Sequence, residues 1–407
     1  EAGQRAATAL AYHPIWRDGR IFVGSHREIF GFRLPDGAPA WQDAPRAVFR
    51  EQYEGITDRG PIPTDTLGSP QFTLTVHNNR LFSRMGSSVT AEPLERDASL
   101  RAVYLACLDL RAEGRLLWQI APDDGWAFEG SPVSDGSSAF VGMRRSDVRP
   151  QAHLAAFDCE TGRRRWQRFL CAADTPARGL MSQASHNLVT LVGDTLYYNT
   201  NLGAVAAVSA ADGRVRWLSL YPRARSGDSL RLAAHWRREV NPCVYHQGML
   251  LVAPSDSPRV FAMDAATGQM LWQSGPETEG ILHLLGTTDR HLIAGGDRLY
   301  WIATDGPRGG RIEHVWPDGP DRPGFGRGVL AGAYVLWPTR EAVHIFDQKT
   351  ARPVRTIDLM PYGAAGGNLL VAGNTLLIAT GTELIALGAQ LEPNADLVEN
   401  PIASHPQ

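Results

Sequence analysis

The chain has 407 residues, 43% of them hydrophobic and 20% charged, with a formal net charge of −3 at pH 7. This is an ordinary globular composition, and the net charge excludes an overall electrostatic pull toward nucleic acid. No run of 18 apolar residues occurs, which excludes a membrane-spanning helix of the usual length. Lys349 is the only lysine, so arginine is abundant by compositional bias and is not by itself a sign of anion chemistry.

In chain order, five segments repeat one pattern, an alternating strand followed by a turn with Gly and then Trp four residues after that Gly. They are GFRLPDGAPAW (Gly37, Trp41), CLDLRAEGRLLW (Gly114, Trp118), AFDCETGRRRW (Gly162, Trp166), AVSAADGRVRW (Gly213, Trp217) and AMDAATGQMLW (Gly268, Trp272). The last four Trp residues are 48, 51 and 55 residues apart, a spacing of propeller blades rather than of helical solenoids. Two weaker copies follow, one ending at Trp316 and one placing Arg355 where Trp would stand. Asp-Gly, Glu-Gly and Thr-Gly supply the positive φ of a tight strand connection. The Trp is expected in or at the start of the outermost strand, packed between blades.

Upstream of each unit lie two further short strands joined by a turn, for example NLVTLVGDTLYYNT and CVYHQGMLLVAP. Each repeat is therefore a four-stranded antiparallel sheet, and radial repetition protects the edges of such sheets. The expected fold is all-β, an eight-bladed β-propeller, with seven blades as the alternative. Blades are expected near 10–42, 70–120, 130–170, 186–221, 240–274, 280–316, 327–358 and 366–390. The last copy lacks a fourth strand, and residues 3–10 are the available donor to close it. Residues 1–390 read as one propeller domain and 391–407 as a polar tail or linker. A short helix is expected within 229–240. Cys107, Cys159, Cys171 and Cys243 form no CxxC and read as small buried hydrophobes, with one disulfide left open.

The units AMDAATGQMLW and AFDCETGRRRW resemble the A-x-D-x-x-T-G-x-x-x-W repeat of the pyrroloquinoline-quinone-like (PQQ-like) propellers. That family includes the quinoprotein alcohol dehydrogenases and the outer-membrane assembly lipoprotein of Gram-negative bacteria. The resemblance implies an eight-bladed propeller, and it is closer to the non-enzymatic lipoprotein type than to the dehydrogenases. It does not imply a bound quinone, since many members bind none.

Every long connection falls on one face of the expected propeller: 42–69, 83–102, 142–153, 171–185 and 222–240. The turns on the other face are uniformly short. Long loops in compact domains carry function or are disordered. Three of these loops hold nine Arg, among them Arg144, Arg145, Arg149, Arg178, Arg223, Arg225, Arg231, Arg237 and Arg238. Four acids, Asp147, Asp174, Asp228 and Glu239, stand against them. Arginine forks suit carboxylate or phosphate; the competing reading is solvated loops in an Arg-biased chain. Asn199, Thr200 and Asn201 in blade four, with Asn241, Ser255 and Asp256 in blade five, are candidates for a hydrogen-bonding patch, against turn capping through their own backbone.

No HExxH, G-x-S-x-G, P-loop or Rossmann pattern stands in a suitable context, so no catalytic residue and no metal ligand is assigned. The expected function is a non-catalytic binding or scaffold propeller. It would take a protein partner or small anionic ligand on the long-loop face, without nucleic acid or cofactor, in the periplasm or another extracytoplasmic part of the bacterial cell envelope. The alternatives are a PQQ- and calcium-dependent alcohol or sugar dehydrogenase, and the sensor or interaction domain of a larger chain. Such dehydrogenases carry adjacent cysteines, which are absent here.

Overall fold

The computed structural model describes residues 10–388 except 35, 43–44, 52–65, 88, 92–102, 147–148, 176–181, 225–232, 239 and 320–322. Two compact units divide the chain, one of Ala11–Glu279 and one of Gly280–Gln407 with Glu1–Leu10.

The first unit contains five blade sheets. Blade one has β1 (Ile15–Arg17), β2 (Arg20–Gly24), β3 (Glu28–Arg33) and β4 (Ala47–Arg50), and β5 (Thr66–Leu67) lies in the connection after it. Blade two has β6 (Leu74–His77), β7 (Arg80–Gly86), β9 (Val103–Asp109) and β10 (Arg115–Ile120), with β8 (Val89–Ala91) between its second and third strands. In blade three, β11 (Trp126–Phe128) and β12 (Val133–Ser134) both line β13 (Ser138–Ser146), followed by β14 (Pro150–Asp158) and β15 (Arg164–Ala172). After β16 (Ser182–Ala184), blade four has β17 (Thr190–Val192), β18 (Thr195–Asn199), β19 (Ala204–Ser209) and β20 (Val215–Leu220). Blade five has β21 (Val244–His246), β22 (Met249–Val252), β23 (Phe261–Asp264) and β24 (Met270–Gln273).

The second unit contains the remaining three. They are β25 (Ile281–Thr287), β26 (His291–Gly296), β27 (Leu299–Ala303) and β28 (Ile312–Trp316); β29 (Val329–Ala331), β30 (Tyr334–Pro338), β31 (Ala342–Asp347) and β32 (Pro353–Asp358); and β33 (Asn368–Ala372), β34 (Thr375–Ala379) and β35 (Leu384–Gly388). Each blade runs in simple antiparallel order, and the fold is an all-β, eight-bladed β-propeller. The eighth sheet has three strands among the described residues. Residues 3–9 of the expected closing segment lie outside them, while the Leu10 carbonyl accepts a 3.0 Å hydrogen bond from Asn368 Nδ2.

The repeat turns are built alike. In blade three the Asp158 carboxylate accepts from the Glu160 and Thr161 amides and from the Thr161 hydroxyl, and the Gly162 amide returns to the Asp158 carbonyl at 2.9 Å. Asp264 does the same with Thr267 and Gly268, and the Thr267 hydroxyl and amide hold its carboxyl below the usual carboxylate range. The weak seventh copy keeps the turn, with Asp347 bonded to Thr350 and Ala351 at φ 57° where glycine would stand. A register shift in the outer strand pair follows each such turn, the bulge expected after a left-handed residue.

The turns of blades three, four and five each also receive the Trp of the preceding blade. Trp118, Trp166 and Trp217 donate through Nε1 to the carbonyls of Cys159, Ala210 and Ala265 at 2.9, 3.1 and 3.0 Å. Their rings lie on the turn glycines. A Cβ on Gly213 (φ 71°) would stand 2.7 Å from Trp166, and one on Gly268 (φ 75°) 2.6 Å from Trp217. These glycines therefore satisfy both the left-handed backbone and the close approach of an indole.

Four details differ from the sequence reading. Trp41 precedes the outer strand of blade one, which is β4, although its ring still lies 3.6 Å from where a Gly114 Cβ would be. Residues 142–153 are mostly strand, because β13 and β14 pair in unbroken register from Ser138–Asp158 to Ser146–Pro150. The helical part of 229–240 is a single 3-10 turn at Ala234–Arg237 among the described residues. In blade six, Trp301 of the third strand makes the inter-blade bond, donating to the Gln348 carbonyl at 2.9 Å. All four cysteines are free.

If this latch carries blade packing, Trp118→Ala should cost about 3–5 kcal/mol, the range for a buried large aromatic. Urea denaturation checks it, and a loss below about 1 kcal/mol would contradict the assignment.

Candidate functional site

The ends of the second strands and the starts of the first strands meet on the long-connection face of blades two to five. Here the chain buries polar side chains, and buried polar groups require partners. Glu129 directly follows β11 and is fully buried. Its Oε1 accepts from Arg144 Nε (2.7 Å), Ser185 Oγ (2.7 Å) and Asn187 Nδ2 (3.3 Å), and its Oε2 from the Tyr198 hydroxyl at 2.5 Å. Arg144 also donates from Nη1 to Gln183 Oε1 at 3.3 Å.

The chain of bonds continues into the next blades. Asn187 Oδ1 accepts from Asn201 Nδ2 at 2.5 Å, and Asn201 Oδ1 accepts from Asn199 Nδ2 and the Ser255 amide, each at 2.8 Å. Asn201 reaches these partners from a left-handed φ of 50°, a conformation that asparagine tolerates. Asn199 Oδ1 stands 3.2 Å from the Tyr221 hydroxyl, which donates to Asp256 Oδ1 at 2.7 Å. Asp256 Oδ2 accepts from Arg223 Nε at 2.8 Å. One polar path thus links blades three, four and five.

Burial sets the protonation states along it. Burial opposes the Arg144 charge, but Glu129 beside it more than offsets this and raises its pKa. Burial, then Glu129, pushes the Tyr198 hydroxyl well above its ordinary range, and burial, then Asp256, does the same to Tyr221. Burial raises the Asp256 carboxyl despite its bonds to Tyr221 and Arg223. On the blade-two side, Arg84 donates from Nε to the Phe128 carbonyl at 2.9 Å, and burial lowers its pKa to about 10. Thr73 Oγ1 sits 2.6 Å from His186 Nε2, and burial, then Arg84, holds His186 well below the ordinary imidazole range.

A small separate sheet covers this network. β16 pairs parallel to β5 and antiparallel to β8, so the connections 42–69, 83–102 and 171–185 each give it one strand. Gln183 of β16 is the partner of Arg144, and Thr90 of β8 lies 2.7 Å from Ser185 Oγ. Leu67 of β5 packs with Ala233 and Trp236, which brings in the connection 222–240.

Of the ten candidates, the structure brings Arg144, Asn199, Asn201, Ser255 and Asp256 together. Thr200 serves its own loop, donating to the Ala204 carbonyl at 2.7 Å. Arg238 is fully buried, donating to a ring of carbonyls that includes Ser257, Pro258, Arg259 and Thr278. Asn241 donates to the Arg238 carbonyl. Arg145 lies over the Trp126 ring at 5.5 Å, and Arg237 is half-buried in the 3-10 turn. Arg144 and Arg238 are therefore not solvated loop arginines: each is an interior tie. Arg178, Arg225, Arg231, Asp147, Asp228 and Glu239 lie outside the described residues.

Sequence reasoning missed Arg84, Glu129, Gln183, Asn187, Tyr198 and Tyr221. A signal existed for two of them. Glu129, Asn187 and Asn241 are polar residues shortly before the inner strands of three successive blades, and only Asn241 was singled out.

The model for outer membrane protein assembly factor BamB matches residues 75–238. Among solved structures, the computationally designed Ika8 protein aligns over 95% of this chain and 100% of its own, with 12% identity and a TM-score of 0.57. A europium-containing methanol dehydrogenase aligns over 93% of this chain and 84% of its own, with 14% identity and a TM-score of 0.52. BamB from Moraxella catarrhalis aligns over 77% of this chain and 98% of its own, with 17% identity and a TM-score of 0.41. At these identities the structural likeness is one of fold alone. No curated protein sequence matches the chain.

Removing Arg144 leaves Glu129 buried without its cation, so Arg144→Ala should cost about 3–5 kcal/mol. Arg237→Ala should cost less than about 1 kcal/mol. Equal losses in urea melts would contradict this division into interior and surface arginines.

Proposed function

We propose that this chain, a member of the PQQ-like β-propeller family, is a non-catalytic binding propeller that engages its partner or ligand through the long-connection face. The observation that carries this reading is the extra sheet of β5, β8 and β16, which gathers three long connections over the ends of the blades. Short turns such as Asn78–Asn79, Gly193–Asp194 and Gln247–Gly248 end the blades on the opposite face. Binding residues are carried disproportionately on such elaborated connections, which supports this face as the interaction surface. The match to an outer-membrane assembly factor supports a protein partner and a place in the cell envelope. Among the described residues no helix is long and apolar enough to cross a membrane.

The partners of the buried carboxylates described at this face favour the non-catalytic reading over a calcium site. Calcium takes roughly six to eight oxygen ligands. The buried carboxylates of Glu129 and Asp256 are instead engaged by Arg144, Tyr198, Ser185, Asn187, Arg223 and Tyr221. Among the described residues no three His, Cys, Asp or Glu side chains are grouped to hold a metal.

Among the described residues, Arg149, beside Asp174 at 3.6 Å, and the half-buried Arg237 are arginines of this face that solvent reaches. Reversing both to Glu should abolish capture of an acidic partner from an envelope extract and leave the melting temperature within about 1 °C of the parent. Undiminished capture would place binding elsewhere. Titration with the quinone and calcium should give no saturable dye-linked alcohol oxidation, and turnover would overturn the non-catalytic reading.

A further inference from the structure

Two guanidinium groups flank the Phe128–Glu129 segment. Arg84 donates from Nε to the Phe128 carbonyl, and Arg144 donates from Nε to the Glu129 carboxylate. Arg84 is 3% exposed and Arg144 0%. In both, the guanidinium Nη2 is buried and has no hydrogen-bond partner among the described residues. Glu129 cannot serve them further, because its two oxygens already accept from Arg144, Ser185, Asn187 and Tyr198.

Among the described residues the charges do not balance either. Two arginines face one carboxylate, and the next carboxylate along the path, Asp256, is paired with Arg223. His186 and Tyr198 add no compensating negative charge: burial and Arg84 keep the first neutral, and burial and Glu129 keep the second protonated. At a pKa of about 10, Arg84 stays protonated at neutral pH. A buried cation without a counter-charge is strongly disfavoured. Water would satisfy the two N–H groups but not the excess charge.

We infer that Arg84 and Arg144 hold one small carboxylate ligand between their free Nη2 groups, beneath the sheet of β5, β8 and β16. A carboxylate matches the planar fork of a guanidinium and brings the missing negative charge. The burial of both arginines selects a small free molecule over the side chain of a docked protein. This adds a ligand to the binding face proposed above and rests on that reading only for the choice of face. The test uses variants that leave Arg149 and Arg237 intact, so either idea can fail alone.

Acetate, malonate and citrate are titrated into the protein at neutral pH and matched ionic strength, with chloride and phosphate as the other arms. Calorimetry follows both heat and melting temperature. At least one carboxylate should bind saturably and raise the melting temperature by roughly 2–6 °C. Arg84→Met should lose that response while melting no lower than the parent without ligand, since the variant no longer buries an unpaired charge. Arg84→Lys, which keeps the charge but not the fork, should bind at least tenfold more weakly. An undiminished carboxylate response in Arg84→Met would overturn the assignment. So would a saturable response to phosphate alone, or none to any member of the panel.

Discussion

The fold of the first unit depends on one repeated contact, an indole laid on a left-handed glycine in the next blade with its N–H bonded to a turn carbonyl. Trp118, Trp166 and Trp217 make it at three successive boundaries. Each contact joins apolar burial with a satisfied polar group, which is how a large aromatic is used at a packed boundary. Because the acceptor follows the turn Asp or Ser by one residue every time, the contact also sets the register between blades. Blade six conserves the bond with a different residue, since Trp301 reaches Gln348, the equivalent acceptor. Blade six has changed the donor and kept the acceptor position.

With the blades fixed in this way, their inner ends are free to carry polar residues that serve no packing role. In blades three to five these residues form a connected interior, with Glu129 at one end and Asp256 with Arg223 at the other. Such networks are costly when incomplete and rigid when complete. This one is complete around Glu129 and Asn201 and incomplete at Arg84 and Arg144. The described strands of three long connections pair with one another, and Gln183 and Ser185 reach from them into the network. The described part of the long-connection face is therefore tied into the folded core.

The architecture was legible because the repeat encodes local chemistry. An Asp that caps its own turn, a glycine at positive φ and a Trp at fixed distance depend on nearby sequence, and they appear as read at Asp158, Gly162 and Trp166. Trp41 keeps the spacing but stands before the outer strand, and Trp301 escaped because it sits on the third strand, outside the repeat's Gly-to-Trp pattern. The loop faces were also legible, but not the burial of their arginines. Composition marks Arg144 and Arg238 as loop cations, whereas pairing across β13 and β14 turns the first inward and a ring of carbonyls encloses the second. Glu129 had no neighbour in sequence to explain it. Its partners come from positions 15, 56, 58 and 69 residues away, a relation that only the fold creates.

The central claim is that the long-connection face is one connected polar body spanning blades three to five. A double-mutant cycle between Glu129→Gln and Asp256→Asn, read by urea denaturation, tests it most directly, because the two residues share no direct contact. The account predicts a coupling energy of at least about 1 kcal/mol. Losses that add to within about 0.5 kcal/mol would contradict it.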